Sequence, residues 1–157
     1  MSDTSIADLF AQHQFLRDLS ERHRMILASG ARSFTAEPGQ VLARERENAH
    51  TFFLIRAGHV ALESALSGSD GLLIQKVGPG EIVGWSWLVE PHKWQFTCRA
   101  VDSVEGISFD AEWLRDLCDR DESLGYRLLK QLVTVITQRL ANTRRHLAEL
   151  HCGTHAR

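Results

Sequence analysis

No stretch of this 157-residue chain approaches the ~18 consecutive apolar residues of a membrane span, so a bilayer is not expected to surround any part of it. The opening Met1-Ser2-Asp3-Thr4-Ser5 also lacks the basic and apolar regions of a secretory signal. Cysteine is scarce: Cys98, Cys118 and Cys152 are odd in number and widely spaced, matching neither a disulfide framework nor a metal knuckle. These absences predict a reduced, cytoplasmic protein. Charge of one sign is lacking too, since the formal net charge is −2, and this excludes a broad basic field for nucleic acid. Eight histidines nevertheless make the charge sensitive to mild acid. No serine, cysteine or lysine stands in a recognisable nucleophile context, and no phosphate loop or metal-hydrolase motif occurs, so no enzyme is expected. Cys98 in a predicted strand, and Cys118 beside Leu114 and Leu117 on a predicted helix, read as core residues.

The length suits one domain that buries roughly two thirds of its unfolded surface. Its densest feature is residues 80–100, where Trp85, Trp87 and Trp94, three of the four tryptophans, lie among glycines and a proline. Glycines let a backbone approach a ligand closely, a short helix starting there would offer peptide N–H groups, and tryptophans would wall a pocket. The same aromatics could instead fill the core of a small barrel.

Around this stretch the chain divides into two N-terminal helices within 1–30, a β region over 31–110, helices over 111–150 and a polar tail at 151–157. A helix is predicted from Ser2 to Gln12 behind Asp3 or Thr4, and a second from a Ser20 cap, ended by Gly30. Short strands are then read at Ser33 to Thr35, Val41 to Ala43, Phe52 to Ile55, His59 to Glu63, Leu72 to Val77, Phe96 to Val101 and Glu105 to Phe109. Gly58 is expected at the corner of a hairpin, and Ser67 to Gly71 at a flexible tip. Strands at this spacing predict a mainly β fold with flanking α-helices, a closed barrel or jelly roll. Asp110 caps a helix through Cys118, and Asp121 starts a long one reaching about Leu150.

On that last helix Tyr126, Leu129, Val133, Ile136, Leu140, Thr143, Leu147 and Leu150 alternate at intervals of three and four, the seam of a coiled coil. Leu124, Leu128, Leu132 and Val135 form a second apolar face for the barrel. The seam outruns that face, which predicts a parallel homodimer rather than a helix folded wholly onto its own barrel. Arg139, Arg144 and Arg145 read as a solvated basic face.

Glu37-Pro38-Gly39-Gln40-Val41-Leu42, Phe53-Leu54-Ile55-Arg56-Ala57-Gly58-His59-Val60, Gly78-Pro79-Gly80-Glu81-Ile82-Val83-Gly84 and Arg99-Ala100 together resemble the cyclic-nucleotide-binding domain of the catabolite activator protein superfamily. The resemblance covers nearly the whole chain. It implies an eight-stranded jelly roll, a phosphate-binding cassette after Gly84, and a dimerising C-terminal helix. In the family a glutamate follows that glycine to hold the ribose, and a later arginine pairs with the cyclic phosphate. Here Trp85 and Trp94 stand in those places. A tryptophan offers one N–H and no charge, so ordinary binding of cyclic AMP or cyclic GMP is expected to be lost.

Three readings follow for the altered cassette. Gly84, Trp85, Ser86, Trp87, Lys93, Trp94, Gln95 and Arg99 hold a different small molecule, whose occupancy is reported through the dimer seam; or the tryptophans plug the pocket and leave a ligand-free dimer that binds another protein; or a cyclic nucleotide is held by rearranged contacts from Lys93 or Arg99. Only seven residues follow Leu150, so no helix-turn-helix domain and no direct DNA contact are expected. His146, His151, Cys152 and His155 match no established ligand spacing, and no metal is expected there.

Overall fold

The computed structural model describes residues 6–65 and 71–155; the expected Asp3 or Thr4 cap and most of the expected Ser67 to Gly71 tip lie outside them. Two short helices open the chain, α1 (Ile6–Gln12) and α2 (Glu21–Ala28). Ser20 caps α2 as expected, its hydroxyl accepting the His23 N–H at 3.2 Å. Eight strands follow: β1 (Ala31–Ala36), β2 (Val41–Ala43), β3 (Thr51–Ala57), β4 (Val60–Ser64), β5 (Leu72–Val77), β6 (Ile82–Val83), β7 (Thr97–Ala100) and β8 (Val104–Asp110). They form two four-stranded antiparallel sheets, in the orders β1-β8-β3-β6 and β2-β7-β4-β5. Two helices close the chain, α3 (Ala111–Arg120) and α4 (Glu122–His155).

The hydrophobic pattern explains the layering. In β3, Phe52 and Leu54 face the helices while Phe53 and Ile55 face the other sheet, which is why that strand reads as an unbroken apolar run. One core therefore lies between the β1-β8-β3-β6 sheet and the helices, joining Phe10, Leu16, Phe52, Phe109, Leu114 and Leu128. A second lies between the sheets, built from Phe53, Val60, Leu62, Val77, Cys98 and Ala100 among others.

The expected hairpin around Gly58 is instead a crossing from one sheet to the other. β3 pairs with β6 and β8, whereas β4 pairs with β5 and β7. Gly58 has φ +85°, and a Cβ there would lie 2.1 Å from the Ser103 carbonyl oxygen. Asp102 fixes the corner by accepting the His59 N–H at 2.7 Å. Alternation along a strand reports which residues point inward but not which strand pairs with it.

Asp110 caps α3, accepting the Trp113 N–H at 2.8 Å, and Asp121 accepts the Leu124 N–H at 3.1 Å at the start of α4. Helix α4 runs on through the expected tail to His155, because His151 and Cys152 do not break a helix and one glycine weakens it by only about 1 kcal/mol. Leu124, Leu128 and Leu132 are buried against the helix-side core. Leu129, Val133, Leu140 and Leu147 are 48–61 % exposed, an apolar stripe roughly a third of a turn round the helix from those leucines. Among the described residues no helix is long and apolar enough to cross a membrane.

Candidate functional site

The candidate site begins where β6 ends. Gly84 has φ +92°, which directs the chain away from the sheet into residues 85–96. No helix forms in this segment. Residues 86–88 make a turn instead, closed by the Leu88 N–H on the Trp85 carbonyl at 3.1 Å, so the row of free N–H groups expected of a helix start is missing.

The returning limb is laced to residues 46–49. The Trp94 N–H donates to the Glu47 carbonyl at 2.9 Å, the Arg46 N–H donates to the Trp94 carbonyl at 2.9 Å, and the Ala49 N–H donates to the His92 carbonyl at 2.7 Å. This pairing turns the Trp94 side chain into the barrel, where it is 6 % exposed. Its indole lies 6.2 Å from the Phe53 ring and so close to Gly84 that a Cβ on that glycine would come within 2.6 Å of it. The cavity between them, also lined by Trp85, Ser86, Gln95 and Arg139, measures about 10 Å³. That is about the space of one water, against roughly 300 Å³ or more for a typical ligand site.

Five of the eight candidate residues therefore meet at one cavity: Gly84, Trp85, Ser86, Trp94 and Gln95. The other three stand apart. Trp87 is 1 % exposed in the helix-side core, 5.3 Å from Phe52, with its carbonyl accepting from Arg115 at 2.7 Å and its indole N–H without a hydrogen-bond partner among the described residues. Lys93 is exposed and donates to the Asn48 side-chain oxygen at 3.1 Å. Arg99 alternates with the inward-facing Cys98 and Ala100, so it lies on the outer face of its sheet, 3.6 Å from Glu63 and donating to the Gly39 carbonyl at 3.2 Å.

Arg139 was expected on a solvated face, but it is buried, 8 % exposed. It stands four residues after Val135 and seven after Leu132, so it prolongs the stripe that packs on the barrel, and that spacing was the available signal. Its guanidinium lies 5.0 Å from the Trp85 ring centroid and donates to the Ile82 carbonyl. Arg144 and Arg145 are exposed, as expected. Among the described residues no cluster of histidine, cysteine or acidic side chains is placed to hold a metal.

Comparison with known proteins agrees with this architecture. Over 116 residues the chain is 33 % identical to the acetyltransferase Pat of Mycolicibacterium smegmatis, a match covering 73 % of this chain and 33 % of that protein, so it spans about a third of that relative's length. In fold it is similar to a protein of Geobacter metallireducens (TM-score 0.78, 21 % identity, covering 89 % of this chain and 99 % of that one). It is also similar to a cyclic nucleotide-binding domain of Methylobacillus flagellatus (TM-score 0.77, 20 % identity, 92 % and 82 % covered). A regulatory subunit of a cAMP-independent protein kinase A of Trypanosoma brucei shares the fold over 90 % of this chain and 48 % of its own length, at TM-score 0.70 and 20 % identity. Residues 33–121 match the cyclic nucleotide-binding domain family, which spans the barrel, the cassette and α3, and the chain belongs to that family.

Proposed function

We propose that this protein is a non-catalytic regulatory module of the cyclic nucleotide-binding fold whose cassette is closed by its own tryptophans, and that it works as a homodimer through α4. The observation that carries this reading is the Trp94 indole seated over Gly84, leaving about 10 Å³ of space. A nucleotide would have to expel a buried indole, at a cost of about 3–5 kcal/mol by analogy with removing such a ring, and would find no arginine in its place. Of the three sequence readings, the geometry favours the plugged cassette. A small molecule held there by Trp85, Ser86 and Gln95 also requires Trp94 to leave.

Output through α4 is supported by the exposed stripe of Leu129, Val133, Leu140 and Leu147, with Ile136 half-buried and Thr143 exposed on the same line. Heptad spacing of this kind buries itself best against a second copy. The three free thiols support a reducing, cytoplasmic setting.

The test is native mass spectrometry of the full chain, followed by calorimetric titration with cyclic AMP and cyclic GMP. The expected result is a dimer that takes up neither. Saturable binding of either nucleotide would overturn the closed-cassette reading, and a monomer at micromolar concentration would overturn the output.

A further inference from the structure

Arg139 carries a buried charge that the Glu81 carboxylate offsets only from beyond ion-pair distance. The arginine is more than nine-tenths buried, one terminal nitrogen donates to the Ile82 carbonyl, the ring of Trp85 covers one face, and Nε has no hydrogen-bond partner among the described residues. No carboxylate among the described residues forms an ion pair with it. An arginine stays protonated in proteins, so neutralisation by proton loss is not open to it, and a buried unpaired charge costs several kcal/mol. A neutral residue of similar length would avoid that cost.

The same side chain also lines a second space, separate from the cassette. Between α4, β5 and the turn at Gly80 lies a groove of about 370 Å³. Its polar lining includes Gln75, Gln131, Gln138 and Asn142. Amides donate and accept, and so can fix the uncharged polar part of a molecule, while Arg139 supplies the one cation. On the helical wheel Gln131 and Gln138 stand about half a turn from Leu129 and Leu140, so a partner helix on the seam would leave the groove open.

We propose that this groove binds a small organic oxyanion, a carboxylate or a single phosphate group, anchored by Arg139. The groove is a different space from the cassette, although Arg139 lines both. Glu81 also lines the groove, its carboxylate held by the Gly78 N–H at 2.6 Å; it opposes any anion there, and more strongly the higher the anion's charge, so a small oxyanion of low charge is the class that fits.

The proposal is tested on the full chain with acetate and with inorganic phosphate as probes, watched by tryptophan fluorescence against chloride at equal ionic strength. Trp85 reports, because its ring lies against the guanidinium. The expected result is a saturable change with at least one probe; acetate alone marks a carboxylate site, phosphate alone a phosphate site. Arg139→Gln should weaken it at least tenfold. Gln138→Glu should do the same by adding a negative charge to the groove while leaving Arg139 and the cassette intact, and it decides the matter if Arg139→Gln does not fold. No saturable response to either probe, or full affinity in Gln138→Glu, would overturn the proposal. Cyclic nucleotide binding that persists in Gln138→Glu would count against the closed cassette alone.

Discussion

The Trp94 indole occupies the space that a side chain at residue 84 would need, and a Cβ on Gly84 would stand 2.6 Å from its ring. Gly84 is therefore constrained twice, by φ +92° and by this contact. Gly84→Ala should cost about 2 kcal/mol or more, seen as a lower urea midpoint with unchanged slope. In a Trp94→Ala background the cost should shrink to the backbone part; a double-mutant cycle showing no coupling would remove Trp94 from the explanation.

Trp94→Ala should itself destabilise the protein by about 3–5 kcal/mol, because the ring fills the barrel against Phe53. Under the closed-cassette reading the emptied space still gains no affinity for cyclic nucleotides, since residue 94 still carries no arginine and Arg139 stays engaged by the Ile82 carbonyl. Thermal melts with and without cyclic AMP separate the two statements, and a nucleotide-dependent rise in the melting temperature of this variant would contradict the second.

How far these relations were legible differs from residue to residue. Strand positions, the Ser20 and Asp110 caps and the apolar stripe of α4 follow from alternation, short polar side chains and heptad spacing, all of which are local. The crossing at Gly58 depends on partners far along the chain, so a local pattern reads it as a hairpin. Trp94 could be placed in the cassette by its position, but its inward direction comes from the backbone bonds to Arg46 and Glu47, residues nearly fifty positions away. Arg139 was misread because charge suggests solvent, although its spacing from Leu132 and Val135 put it on the buried side.

Along α4, Val133→Glu with Leu140→Glu should convert the proposed dimer to a monomer without loss of the barrel, because both side chains are about half exposed in the single chain. Sedimentation velocity reads the mass and near-ultraviolet circular dichroism reads the tryptophan packing. A dimer persisting in this variant would move the interface elsewhere.

Stability should fall below about pH 6.5 through His13. Burial lowers the His13 pKa from its ordinary 6.5, opposed by hydrogen bonds to backbone groups of Ile55 and Glu81. The Phe15 N–H donates to Nδ1 at 3.1 Å, so the proton sits on Nε2, 3.1 Å from the Ile55 carbonyl. Between the lowered folded value and 6.5 the unfolded chain binds more protons, so stability rises with pH across that window and is lost as pH falls through it. His13→Gln should flatten this limb of the melting-temperature profile; an unchanged limb would assign the effect to another group.

The thiols should separate by reactivity. Burial pushes Cys98 up to about 12 and Cys118, with help from Asp119 and Asp121, up to about 11, while Cys152 is exposed. Near pH 8 a disulfide reagent should modify Cys152 at once, Cys118 slowly and Cys98 only in denaturant. Rapid modification of Cys98 in the folded protein would mean that the barrel opens readily.

Arg139 and Leu140 are neighbours in sequence, yet one is held inside against Trp85 and the other stands 50 % exposed on the outward stripe. They share a helix of 34 residues, roughly 50 Å of continuous rod. Under the proposals made above, a change in how the guanidinium is seated would reach the outer stripe across a single peptide unit, and a small tilt of so long a rod would displace its far end by ångströms. If Arg139 is the detector and the stripe the pointer, they sit on adjacent residues and need no chain of intermediaries between them.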